Sequence, residues 1–349
     1  MKITYKNAGV DIDVGNETVA RIKKLVKATY TKNIISDIGG FAALIDVKEI
    51  TQQYKHPVLV QSIDGVGTKT IIAKLMNKYD TIGIDLLSAS CNDILVVGAK
   101  PLTMLDYIAS DRLDPNIIEQ LVGGMVKACR ENGVSLVGGE TAEMPNIYFT
   151  KEHDLVGVVT GIVEKDNIIN GSNIKVGDKI IGLTANGLHT NGYSLARKLF
   201  FEIAGMRVDN IIPELSSERT LGEILLESHI NYTKPILELI NGGVRVKGMA
   251  HITGGGLLEN IPRILPNNCT AQIYLDAWLV FPIFKMMQKI GNLSQEEMYR
   301  TFNMGIGYVL IVDEKEITTV LQKMQKYYRD FNALVIGEII CGERIVKLA

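Results

Sequence analysis

Little in this 349-residue sequence could staple the chain or anchor it elsewhere. Its 4 cysteines, Cys91, Cys129, Cys269 and Cys341, lie far apart and form no CxxC pair. Neither a zinc site nor a disulfide framework is favoured, and a reducing compartment fits best. Excess charge of one sign is missing too, since 37 Lys and Arg face 39 Asp and Glu for a formal net charge of -2. Gripping nucleic acid by charge alone is thereby excluded. Aromatic residues make up only 6%, which argues against an aromatic-lined groove. No window approaches the ~20 apolar residues of a membrane helix, and Met1 to Gly9 are polar, without an apolar signal core. A soluble cytoplasmic protein with no nucleic-acid or membrane partner is expected. With 9 prolines, 46% hydrophobic and 22% charged residues, the chain can bury a large core, so disorder and collagen-like structure are excluded.

What is present is glycine, 33 of them, which permits tight turns and close backbone approaches. The length suggests roughly two domains, with no solenoid period and no low-complexity tract. Short β-rich runs alternate with helical ones. In the first half, strands are expected at Val58–Ile63, Leu102–Ile108, Val134–Val137 and Leu155–Val163, and helices at Ile82–Val97 and Asp114–Asn132. Asp114 suits the cap of the latter helix, Pro115 its first turn and Gly133 its stop. A polar, glycine-rich stretch over Asn167–Gly177 predicts a boundary between domains 1–168 and 169–349. Beyond it come strands at Lys179–Leu183, Val246–Ile252, Thr270–Leu275, Gly307–Val312 and Ala333–Ile339, with helices at Tyr193–Ile203 and Glu314–Tyr328. The fold class is α/β (α+β), with helices and strands mixed around a sheet in each half.

Several segments carry chemistry-bearing residues. Asp64-Gly65-Val66-Gly67-Thr68-Lys69 ends a strand with two glycines, a hydroxyl, a carboxylate and a lysine, a loop able to bring backbone N–H groups to phosphate. It is neither a Walker A motif nor a Rossmann fingerprint, and an ordinary glycine turn is equally compatible. The Ile82–Val97 helix is apolar nearly all round, yet carries Asp85, Asn92 and Asp93. Buried acids are costly unless they meet a cation, a metal or strong donors. Gly138-Gly139-Glu140-Thr141 is expected to end another strand, at its carboxyl edge. Asp64, Asp93 and Glu140 together suit a hard divalent cation such as magnesium, which bridges carboxylates to nucleotide phosphates. In the second half, Asn186-Gly187-Leu188-His189-Thr190-Asn191-Gly192 precedes a helix, where an anion would meet N–H donors. His189 could donate to developing charge or shuttle a proton. His56, His153 and His229 read as surface residues, and His251 as a structural hydrogen-bonding residue before Thr253-Gly254-Gly255-Gly256. Asn303-Met304-Gly305-Ile306-Gly307 is open to two readings, a ligand-approaching segment or a plain turn.

Tyr5–Asp13, Asp64–Lys69, Gly83–Leu86, Asn92–Pro101, Gly138–Pro145, His189–Leu195, His251–Gly256 and Met298–Asn303 together resemble the phosphoribosylformylglycinamidine cyclo-ligases, or aminoimidazole ribonucleotide synthetases. The likeness runs in order from about residue 5 to 345. Asp93 to Pro101 also matches a D-x4-G-A-x-P signature of a wider ATP-using superfamily. The resemblance implies a homodimer whose N-terminal domains pair strands into a shared β-barrel, with a C-terminal α/β sandwich. It implies ATP-dependent cyclisation of formylglycinamidine ribonucleotide to 5-aminoimidazole ribonucleotide in purine biosynthesis, with ATP and Mg2+. By the same resemblance, Asp64, Asp93 and Glu140 are metal and triphosphate ligands. Lys69 is a phosphate-facing lysine, and Lys23, Gly65, Gly67, Thr68, Gly138, Gly139 and Asn191 belong to the nucleotide site. His189, Asp93 and Lys69 are catalytic. Thr253, Gly254, Gly255, Asn303 and Gly305 are substrate-side elements.

The sequence departs from that family at Leu225-Leu226-Glu227-Ser228-His229-Ile230, where the family's Pro-Thr-Arg after a Leu-Leu pair is absent. Lys32–Ile38 also replaces a glycine-rich run, although Gly39-Gly40-Phe41 is kept. Other readings fit less well. A selenophosphate synthetase needs a reactive cysteine near its N-terminus, whereas the first cysteine here is Cys91. A thiamine-monophosphate kinase needs acidic N-terminal motifs that are missing, and a catalytically silent nucleotide-binding paralogue would not need the retained acids.

Overall fold

The computed structural model describes residues 3–327 and 329–349, and its chain divides into two compact units. One takes residues up to Ile94 with Ala99–Asp166, the other Leu95–Gly98 with Asn167–Ala349. No helix among the described residues is long and apolar enough to cross a membrane.

The first unit holds a four-stranded sheet. Strands β1 (Pro57–Gly65), β2 (Lys100–Ser110), β3 (Ser135–Glu143) and β4 (His153–Glu164) lie in the order β1-β4-β2-β3. β2 and β3 run parallel, and the other two pairings are antiparallel. The longer helices are α1 (Ile12–Lys27), α2 (Lys69–Met76), α3 (Asp80–Leu95) and α4 (Pro115–Asn132). Helix α4 is punctuated as its residues dictate. The Asp114 carboxylate accepts from the Asn116 N–H, Pro115 opens the first turn, and Gly133 stops the helix in the left-handed region at φ 67°.

α3 is apolar all round because it is covered all round. A Cβ on Gly83 would lie 2.1 Å from the Leu121 carbonyl oxygen, and one on Gly124 would lie 1.9 Å from that of Asp80. Only glycines allow α3 and α4 to cross so closely. On its other side, α3 sets Leu86 over Gly157 and Ile94 over Gly161 of β4. β3 differs from expectation. It does not stop near Val137 but continues to Glu143, with Gly139 opposite Asp106 and Glu140 opposite Tyr107. Parallel pairing with β2 satisfies its backbone, so Glu140 is a mid-strand residue rather than one at a strand end.

The second unit holds β5 (Lys179–Thr184), β6 (Val246–His251), β7 (Cys269–Ile273), β8 (Ile306–Val312), β9 (Ala333–Cys341) and β10 (Val346–Leu348) in the order β10-β7-β9-β5-β8-β6. All pairings but β10 with β7 are antiparallel. β8 is buried at every position, hence its unbroken apolar run. Helices α5 (Tyr193–Arg197), α6 (Thr233–Asn241), α7 (Gly256–Asn260) and α8 (Ile317–Met324) accompany this sheet. Tyr232, Ile236 and Leu239 pack with Val320 and Met324 against Ile181, Leu183 and Leu310 of the sheet. The helix expected over Tyr193–Ile203 is α-helical to Arg197 and π-helical from Lys198 to Ile203. That expected over Glu314–Tyr328 is α-helical only in α8 and flanked by 3-10 turns, and its last residue lies outside the described residues.

Two histidines expected at the surface are buried. His229 belongs to the candidate site below. His153 opens β4, 6% exposed, edge-on to Tyr79 at 5.5 Å between ring centroids. Burial lowers its pKa from the ordinary 6.5. As pH falls below that value the unfolded chain takes up the proton more readily than the folded one, so stability is lost on the acid side. His153→Gln should flatten the fall in urea midpoint between about pH 7 and 5. An unaltered slope would show that His153 does not contribute to it.

Candidate active site

The Asp64 loop is a short turn joining β1 to α2. The Gly65 N–H donates to Asp64 Oδ1 at 2.8 Å, Gly67 is left-handed at φ 62°, and Thr68 leads directly into α2. Lys69, the first residue of α2, is fully buried, with its ammonium 2.7 Å from Asp85 Oδ2 of α3, itself fully buried. A lysine therefore meets the buried acid of α3, where the sequence favoured a metal or other cation. Asp93, two turns further along α3, accepts from the Ser62 hydroxyl of β1 at 3.0 Å. Asp64 follows Ser62 by two residues and shares its face of the sheet, the face that α3 covers.

Glu140 is not their neighbour. Asp64 pairs with Gly157, Gly157 with Asp106, and Asp106 with Gly139. Three strand spacings, about 14 Å, thus separate the β1 and β3 edges. Among the described residues no group of three His, Cys, Asp or Glu is disposed to hold a metal. The expected three-carboxylate cluster does not form within one chain, because the sheet order inserts β4 and β2 between its members.

Glu140 instead lines a cavity of about 880 Å3 with Gly138, Gly139, Asp37, Gly39, Phe41 and Asp106, a volume typical of small-molecule sites. Lys23 of α1 pairs with Asp37 at 3.1 Å and Lys27 with the same oxygen at 3.0 Å. Lys27, then Lys23, hold the Asp37 carboxyl below its ordinary value. Glu143 joins two of the quoted motifs. Its Oε2 accepts from the Asp11 N–H at 2.7 Å and its Oε1 from the Leu113 N–H at 3.1 Å. Asp106 retains some accessible surface, yet the protein packed around its carboxyl pushes the pKa up to about 7. A Cβ at Gly139 would lie 2.3 Å from Asp106 Oδ1, so that glycine gives the carboxylate its room.

In the second unit the expected segments converge. β5 and β6 both run antiparallel to β8, which places their carboxyl ends beside the start of β8. The loop bearing His189 and Asn191 follows β5, the Thr253–Gly255 turn follows β6, and Asn303–Gly305 precede β8. Asn191 Oδ1 lies 3.4 Å from where a Gly254 Cβ would stand. Asn260 of α7 donates to the carbonyls of Thr253, Gly254 and Gly256, holding the glycine turn. Asn303 is buried and engaged at both ends of its amide, donating to the Gly187 carbonyl at 2.9 Å and accepting from the Gly305 N–H at 2.8 Å. Its side chain shapes the His189 loop.

His189 has a left-handed backbone, φ 58°, an uncommon conformation for a side-chain-bearing residue. Its ring stacks on His229 at 4.0 Å between centroids, and His229 Nε2 is 3.0 Å from His251 Nε2. The structural bond expected of His251 is therefore present, to a residue expected at the surface. Local sequence carries no signal for this pairing, since His229 and His251 stand 22 residues apart.

A family model described as AIR synthase related protein, N-terminal domain, matches residues 41–163, and one for the C-terminal domain matches 175–347. The chain is 49% identical over 348 residues to the phosphoribosylformylglycinamidine cyclo-ligase of Alkaliphilus oremlandii, covering 100% of both chains. The chain belongs to the phosphoribosylformylglycinamidine cyclo-ligase family. Another cyclo-ligase, from Syntrophotalea carbinolica, is 50% identical over 338 residues, which cover 97% of this chain and 95% of that one. Among solved structures, thiamine-monophosphate kinase from Stenotrophomonas maltophilia aligns with TM-score 0.68 at 16% identity, over 94% of this chain and 95% of that chain. The hydrogenase maturation protein HypE of E. coli aligns with TM-score 0.67 at 17% identity, over 97% and 93%. At such identities the likeness concerns the fold.

One glycine gives the candidate site its room. A Cβ at Gly307 would lie 2.6 Å from His189 Cε1 and 2.2 Å from the Tyr232 hydroxyl oxygen, which donates to the Thr184 carbonyl at 2.9 Å. Gly307→Ala should displace the His189 ring and lower turnover by at least about tenfold, at an overpacking cost of about 1–3 kcal/mol in urea unfolding. Wild-type turnover in a folded Gly307→Ala protein would show that the position of His189 is immaterial.

Proposed function

We propose that the chain closes the imidazole ring of 5-aminoimidazole ribonucleotide from formylglycinamidine ribonucleotide, consuming ATP and releasing ADP and phosphate. The observation that carries this is the 49% identity to a cyclo-ligase across both chains entire. An amide carbon is a poor electrophile, so ring closure requires its oxygen to become a leaving group. Phosphorylation by ATP gives an iminophosphate, which the amidine nitrogen attacks with loss of phosphate. Such phosphoryl transfer depends on positioning and on neutralised charge more than on covalent participation by the protein.

The donor set fits magnesium in part. Asp64 and Asp93 offer the one or two carboxylates that magnesium takes alongside nucleotide phosphates. Bound there, the ion would neutralise triphosphate charge. Glu140, Gly138 and Gly139 belong to the cavity beside Lys23, where they receive nucleotide, and Gly65, Gly67 and Thr68 offer backbone donors to phosphate. Lys69 acts through Asp85, holding that loop. His189 donates to charge on the transferring group, with Asn191 beside it, and Thr253, Gly254, Gly255, Asn303 and Gly305 shape the substrate end. Exclusion of water would strengthen these contacts and protect the intermediate.

Asp93→Asn is isosteric and should lower magnesium-dependent formation of 5-aminoimidazole ribonucleotide by at least about 100-fold without moving the melting temperature. Mass spectrometry of the product, with a metal-free control, reads this. An unimpaired variant would remove Asp93 from the metal site.

The enzyme works as a cytoplasmic homodimer in this reading. On the sheet face away from α3, Leu59 and Ile63 of β1 are 66% and 67% exposed and Leu105 of β2 is 44% exposed. Those apolar side chains on an open sheet suit burial against a second copy. Leu59→Glu with Ile63→Glu should shift sedimentation from dimer to monomer, and a dimer that survives both charges would place the interface elsewhere.

A further inference from the structure

We propose that His229 is a positioning residue for His189, acting together with His251. The proposal rests on the reading of His189 as the residue that meets the transferring phosphoryl group. Three imidazoles meet in the second unit, contributed by the loop after β5, the segment before α6 and the end of β6. The His189 and His229 rings are nearly parallel, 21° apart, with centroids 4.0 Å apart. All three histidines are buried, at 1%, 2% and 5% exposure. The His189 backbone is left-handed, so the surroundings of the ring, more than backbone preference, determine where it points.

His229 is in turn held at both ring nitrogens. Its Nδ1 is 3.3 Å from the hydroxyl of Thr190, the residue after His189, and its Nε2 is 3.0 Å from His251 Nε2. The second contact needs one proton between two nitrogens, so one ring donates and the other accepts. If His229 donates to His251, its Nδ1 accepts from the Thr190 hydroxyl. His251 is itself stacked on Tyr308 of β8, with ring centroids 6.1 Å apart. The chain of contacts therefore runs from β8, buried at every position, through His251 to His229, and from there to the face of His189 and to its neighbour's hydroxyl. A ring fixed in this way holds its edge nitrogens in one orientation. A catalytic group displaced by about 1 Å can lose up to about 100-fold in rate.

A double-mutant cycle in the full-length enzyme, read as turnover and Michaelis constant, tests this. His189→Ala and His229→Ala should each lower turnover by at least about tenfold with Michaelis constants within about twofold, and the double variant should be no slower than His189→Ala. Losses that multiply in the double variant would overturn the proposal while leaving His189 in place. So would a His229→Ala enzyme at full rate beside an impaired His189→Ala enzyme. A His189→Ala enzyme at full rate would overturn the reading of His189, and this proposal with it. Should His229→Ala fail to fold, His229→Gln keeps a hydrogen bond to His251 but loses the stack. It should slow turnover and shift the His189 ring nitrogen resonances in NMR, and unchanged rate and resonances would overturn the proposal.

Discussion

Two opposite charges with no exposed surface, Lys69 and Asp85, govern the first unit. Withdrawing either from water costs several kcal/mol, and removing one partner from such a pair typically costs about 3–5 kcal/mol. The contact at 2.7 Å therefore survives only where the start of α2 meets the middle of α3. This has a consequence for the loop before α2. Asp64 to Thr68 must arrive where Lys69 is held, beside the helix that carries Asp93. A buried ion pair is weak support for stability as such, but it resists any sliding of α2 along α3. The glycines at 83 and 124, which admit α4 against the same helix, complete the constraint.

The second unit orders its candidate site through hydrogen-bonding side chains. Its site lies where β5, β6 and β8 bring their ends together, and it is built from left-handed positions at His189, Met304 and Gly305. Such backbone persists where neighbours over-determine it. Asn303 bonds two separate backbones, Trp278 donates to the Met304 carbonyl at 2.9 Å, and Asn260 binds three carbonyls of the glycine turn. The loop before β8 and the glycine turn after β6 are thus held by side-chain amides and an indole, while the sheet beneath supplies the apolar core.

Helix α4 was legible from Asp114, Pro115 and Gly133 because capping is a local matter of one side chain and the nearest N–H groups. β8 was legible because seven buried positions leave no place for a polar residue. Glycine-rich turns beside His189 and Thr253 could likewise be recognised as turns, because glycine marks left-handed and closely approached backbone. By contrast, the full length of β3 is not legible, since glycines at 138 and 139 look like a stop. Pairing with β2 and the carboxylate of Asp106 are what those glycines accommodate. The surface assignment of His229 failed for a related reason. Its partners lie 40 and 22 residues away, beyond any periodicity.

Residue order alone determined the alternation of strands and helices, the caps, the apolar helix with its acids, and a family likeness spread along the whole length. Those properties depend on neighbours in the chain. Which acids meet was decided only by tertiary structure. Strand order sent Glu140 to the opposite edge from Asp64, brought Lys69 to Asp85, and stacked three histidines from distant segments. Such pairings follow from sheet topology and close packing, where the positions of all the strands together decide what any one side chain can touch.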